Sequence, residues 1–163
     1  MIEVRKTSGQ MLLESVLAMG IIVVGVVGVV SLASRSIGES RVVADQFVGV
    51  NLASEGLEVA KNILGANSLN GRPWNEGFGD GDYEVTYAST DLVSLLGAPR
   101  NLSFDPGTGL FDYGGPRGTT FTRVINIRRV NDHQIRAKAR VNWKSRDGGN
   151  KTVTLETGFL NWR

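Results

Sequence analysis

Three observations predict an α+β fold, in which one long N-terminal α-helix packs against a C-terminal antiparallel β-sheet. First, residues 16–30 contain no charged or strongly polar side chain, and Ser31, Leu32 and Ala33 extend that run to Arg35. Second, apolar residues recur at spacings of three and four after Ser36, which marks an amphipathic continuation of the same helix. Third, Ile135, Ala137, Ala139, Val141 and Trp143 alternate without error with Arg136, Lys138, Arg140, Asn142 and Lys144, the period of a half-buried strand. A long helix followed by successive strands is the α+β pattern.

From Met11 to Ala33 the helix is long enough to cross roughly 30 Å of hydrocarbon at about 1.5 Å per residue. Gly20, Gly25 and Gly28 interrupt it with small residues, which let neighbouring helices approach but each weaken the helix by up to about 1 kcal/mol relative to alanine. Glu14 is out of place there. A carboxylate in lipid costs roughly 2.5–3.5 kcal/mol on insertion scales, so it is expected to be functional and to have a partner. Ahead of it, Arg5 and Lys6 make residues 1–9 a basic leader that keeps the N-terminus cytoplasmic by the positive-inside rule. Gly9 ends that leader, and Glu14 follows five residues later. A cut after Gly9 would turn Gln10 into a charged amino terminus one helical turn from Glu14.

Basic leader, glycine, four residues, glutamate and an apolar helix together resemble the type III (prepilin) signal of the type IV pilin and pseudopilin superfamily. The resemblance implies cleavage between Gly9 and Gln10 by a prepilin peptidase, N-methylation of Gln10, and filament assembly through Glu14. One departure bears on the methylation: family members most often carry Phe where this chain has Gln10. The alternatives are an uncleaved signal anchor and a secretory signal peptide. The second is disfavoured because the apolar run exceeds about 7–15 residues and Ser34-Arg35-Ser36 lacks a small-x-small site.

The organisation expected is therefore a leader at 1–9, a transmembrane and assembly helix at 10–35, its amphipathic half at 36–65, and an extracytoplasmic antiparallel β domain at 66–163. The apolar stripe of the amphipathic half reads as Val43, Phe47, Val50, Ala53, Leu57, Ala60 and Ile63/Leu64, with Gly65-Ala66-Asn67 and the polar residues to Pro73 as the stop. Residues 66–81 form a connector containing Trp74 and Phe78. Tyr83, Val85 and Tyr87, alternating with Glu84 and Thr86, predict a strand. Residues 89–120 are punctuated by Gly and Pro, with short extended pieces at 102–104 and 110–113. Residues 121–130 predict a strand whose mixed alternation implies a bulge. Asp147-Gly148-Gly149 turns the chain, and Val153, Leu155, Thr157 and Phe159 return on the inner face. This strand–Trp–turn–strand ending is similar to that of PilV-like minor pilins and I-type pseudopilins of type II secretion.

Net charge is +2 over 163 residues, but its distribution is uneven. Residues 39–115 carry eleven acidic against four basic residues, and residues 120–163 ten basic against three acidic. Such halves attract one another within one subunit or between stacked subunits, under salt screening. Cysteine is absent, which excludes a disulfide framework and thiolate metal sites. The sole histidine, His133, falls in a predicted turn, and no nucleophile elbow or phosphate loop is present, so an enzyme is not expected and no cofactor is implied. Asp80-Gly81-Asp82 and the Asp105 and Asp112 region lack EF-hand spacing and read as turn chemistry.

Arg136, Lys138 and Arg140 share one strand face, a stripe suited to phosphate contacts but without interleaved aromatics. The simpler expectation for it is a solvated or subunit-facing surface. The leading reading is a structural minor pilin or pseudopilin subunit of a type IV pilus-like filament. Its expected partners are other pilin or pseudopilin subunits, prepilin peptidase, inner-membrane assembly machinery and, before assembly, membrane lipid. The expected location is the cytoplasmic membrane, single-pass, and then a cell-surface filament. The rivals are a type II secretion pseudopilin and an uncleaved membrane-anchored extracytoplasmic binding domain, with nucleic acid on the basic strand as its ligand.

Overall fold

The computed structural model describes residues 7–145 and 148–161. Arg5 and Lys6 of the leader, and Arg146 and Asp147 of the last turn, lie outside the described residues. One helix, α1 (Thr7–Leu69), precedes seven strands: β1 (Gly81–Glu84), β2 (Val93–Ser94), β3 (Asn101–Asp105), β4 (Leu110–Asp112), β5 (Arg117–Asn131), β6 (Gln134–Lys144) and β7 (Asn150–Leu160). The fold is α+β, a long N-terminal helix packed against an antiparallel sheet. The chain divides into two compact units, Met1–Val43 and Ala44–Arg163.

In the first unit the chain is helical from Thr7 and continues unbroken through Gly20, Gly25 and Gly28. The helix starts two residues before Gly9, so no change of secondary structure marks the Gly9–Gln10 bond. The apolar side chains from Met11 to Leu32 are exposed, and this helix is long and apolar enough to cross a membrane. Two of its serines bond back to the helix: the Ser15 and Ser31 hydroxyls donate to the Met11 and Val27 carbonyls, each at 2.8 Å.

In the second unit β5 is the spine of the sheet. At fifteen residues it is long enough to pair with β6 along one edge and with both β1 and β3, at different levels, along the other. Beyond them lie β2 and β4, and β7 pairs only with β6. The bulge expected in this strand appears as a register shift between Arg129 and Asn131. A two-residue connection, Asp132-His133, then leads into β6. Ile135, Ala137, Ala139, Val141 and Trp143 all face the core, as their alternation predicts. The last turn places Gly148 at φ +86°, a backbone conformation that suits glycine.

The helix stripe, the helix end and the strand at 83–87 each need correction in part. The helix stripe read from the sequence holds only from Ala53 onward: Val43, Phe47 and Val50 are exposed, Phe47 by 65%. Ala53, Ala60, Ile63 and Leu64 are buried and Leu57 is half-buried, as expected, and the buried face also takes in Leu52 and Val59 together with Gly49 and Gly56. The glycines mark that face because the sheet comes too close for a side chain. A Cβ on Gly49 would stand 2.8 Å from the Trp143 ring, and one on Gly56 would stand 2.6 Å from Ile125 Cδ1. The helix ends at Leu69, inside the expected stop between Gly65 and Pro73 and four residues beyond the expected end at 65. Asn67 is buried, and its amide donates to the Trp74 and Glu76 carbonyls, tying the connector to the last turn.

The predicted strand at 83–87 is also shorter. It ends at Glu84, and Tyr87 is exposed. Phe78, Val85, Leu102, Ile125 and Ile127 complete the core, each side chain contributing about 1.5–3 kcal/mol by its removal from water.

Candidate assembly site and interior ion pairs

Glu14 is the only charged residue between Gln10 and Ser34, and it lies on the continuous helix of the first unit. Gln10 precedes it by four residues, so the two share one helix face. Both are exposed, as are Gly9 and the apolar residues that follow. A Cβ built on Gly9 meets nothing within 4 Å. Chemically, the segment offers one carboxylate on an otherwise apolar surface. In lipid or in a bundle of helices, such a group demands a cation.

Among the described residues, the second unit holds two ion pairs with a buried member that the sequence reading missed. Arg123 is 0% exposed and sits between the helix and the sheet. Its Nη1 donates to the Leu52 carbonyl at 2.9 Å and to Glu55 Oε1 at 3.0 Å, and its Nη2 donates to the Val85 carbonyl at 2.7 Å. The guanidinium thus joins α1, the residue just after β1, and β5 through one residue. Gly56 makes room for it: a Cβ there would come within 3.0 Å of Arg123 Cδ. A signal was available in the alternation Phe121, Arg123, Ile125, Ile127, where arginine occupies an inward register position.

The second pair secures the start of β3. Glu84, expected to face solvent, is buried, and it accepts bonds from the Arg100 backbone amide at 2.8 Å and from Arg100 Nε at 2.7 Å. The same guanidinium lies 4.1 Å from the centre of the Tyr113 ring. Burial, reinforced by the Glu84 carboxylate, pushes the Tyr113 hydroxyl up to about 12. That hydroxyl is buried and makes no hydrogen bond.

The cationic strand face is where its alternation places it. Arg136, Lys138 and Arg140 lie on the outer side of β6. Arg136 Nε and Lys138 Nζ both reach Glu156 on β7, each at 3.1 Å, so part of their charge is already balanced. The acidic residues are tied into turns and strands. Asp80 accepts from the Arg129 amide, Asp82 from the Asn126 side chain, and Asp105 from the Gly107 amide.

No protein-family model, curated protein or solved structure matches this chain.

Proposed function

We propose that the chain is a structural, filament-forming subunit, a minor pilin or pseudopilin of a type IV pilus-like assembly. In this reading the apolar helix holds the protein in the cytoplasmic membrane with its N-terminus cytoplasmic. A prepilin peptidase removes residues 1–9, the new amino terminus at Gln10 is a methylation site, and inner-membrane machinery extracts the subunit into a filament. The observation that carries the reading is Glu14, a lone carboxylate on an exposed helix of membrane length, five residues after Gly9. Its cation is then the amine of Gln10 on a neighbouring subunit. An uncleaved anchor gives this carboxylate no role and leaves its insertion cost without an offset. A type II secretion pseudopilin rests on the same residues, and the genes encoded alongside this one discriminate it from a pilus subunit.

The test is Glu14→Leu, compared with the parent in sheared filaments and in membranes. Leaving one charge of a buried pair uncompensated costs roughly 3–5 kcal/mol, so incorporation is expected to collapse. Intact mass should still show loss of residues 1–9 in both proteins, and membrane insertion should be unchanged or improved. Normal incorporation of Glu14→Leu removes the mechanism, and full-length chain in filaments removes the reading altogether.

A further inference from the structure

We propose that the outer edge of β7 and the helix flank beside it receive an extended segment of a partner protein, one that alternates apolar with acidic residues and adds to the sheet as an eighth strand. The inference concerns the second unit alone and is independent of how the apolar helix is used.

The edge is long and unprotected. β7 keeps an unbroken register with β6 over eleven residue pairs, contains no proline, and has no strand on its other side among the described residues. Natural edges of this length are normally blunted by proline, a bulge or an inward charge. Lys151, exposed at the first inward register position, is the one such charge on β7; beyond it the inward positions are Val153, Leu155, Thr157 and Phe159, and all remain only half-buried. By contrast, their neighbours on β6 are fully covered.

The helix completes a trough. It runs in the same direction as β7: Gly49 lies against Trp143, which pairs with Lys151, and further on Lys61 and Leu64 line a cavity of about 550 Å³ with Phe159 and Trp74. Val50, Leu57 and Leu64 are seven residues apart and so lie along one flank of the helix. From Val50 to Leu64 the helix rises about 21 Å, and from Val153 to Phe159 the strand extends about 20 Å. The match in length defines a slot for roughly six or seven residues of strand, with three or four side chains pointing in.

Charge specifies the other face of the occupant. The outer side of β6 carries Arg136, Lys138, Arg140 and Lys144, against which β7 sets only Glu156. A strand added beside β7 lies about 9.6 Å from β6, within reach of these long side chains across Thr154 and Gly158. Acidic residues at its outward positions complete the balance.

The experiment uses the full chain in detergent micelles and a blocked nine-residue peptide alternating valine with glutamate. Binding is read by Trp74-region fluorescence and by hydrogen exchange of the β7 amides. The expected result is saturable binding that slows exchange of alternate β7 amides at least about tenfold. The valine–lysine counterpart should bind at least about tenfold more weakly, and proline at alternate peptide positions should abolish binding. Arg140→Glu, an exposed substitution, should narrow the preference between the two peptides. No binding, binding without protection of β7, or binding indifferent to peptide charge would each overturn the proposal. So would β7 amides already protected in the free chain by a second copy, seen as a dimer in sedimentation.

Discussion

Glu55→Leu is expected to destabilise the second unit through Arg123, although Glu55 lies at the edge of the interface. The guanidinium is 0% exposed, so without Glu55 it keeps two backbone carbonyls but loses its counter-charge. Breaking a buried pair costs about 3–5 kcal/mol, and the 30% exposure of the Glu55 side chain admits enough screening to place the loss at about 2–4 kcal/mol. For a unit of this size that corresponds to a fall in Tm of roughly 10 °C. Arg123→Met removes the charge and retains an apolar stem, but leaves the Val85 carbonyl without its donor, at about 1–3 kcal/mol.

The double substitution should therefore lose less than the sum of the two singles, because the cost of an orphaned charge is absent from it. Thermal unfolding of the full chain in micelles, followed by the near-ultraviolet circular dichroism of Trp143, measures all three. A Glu55→Leu protein unfolding within about 1 °C of the parent, or strict additivity in the double, refutes the assignment of Arg123 as the latch between helix and sheet.

The helix glycines should respond in opposite ways. Gly56→Ala sets a methyl 2.6 Å from the buried Ile125 and should destabilise despite better helix propensity, whereas Gly65→Ala meets nothing within 4 Å and should stabilise by up to about 1 kcal/mol, both read from denaturant midpoints. Tyr113 should titrate near 12 in an ultraviolet absorbance titration, and Tyr113→Phe should remove that step without loss of stability, since the hydroxyl has no partner. Because folding raises this pKa above its ordinary value of 10.0, the native state holds the proton more tightly. The associated stability is present below pH 10 and is lost as pH rises towards 12, a dependence that Tyr113→Phe should flatten.

The local patterns of the sequence determined a good deal. The long helix, the membrane-length apolar run with its single glutamate, the alternation of β6 and the two final turns are all legible, because each depends on neighbours a few positions away. The segment Gly9, Gln10 and Glu14 can be singled out for the same reason. Only the tertiary structure decided where along the helix the stripe begins to meet the sheet. Val43, Phe47 and Val50 look like core in a periodicity count, yet the sheet approaches where Gly49 and Gly56 carry no side chain, and glycine adds nothing to a hydrophobic pattern. Arg123 and Glu84 read as surface residues because charge ordinarily means exposure. They are buried because partners 68 and 16 positions away in the chain, Glu55 and Arg100, are brought within hydrogen-bonding distance of them. The half-burial of β7 is likewise invisible in its own alternation, which matches that of a covered strand. An alternating pattern reports which side of a strand faces inward; whether anything lies beside that strand depends on where the rest of the chain ends up.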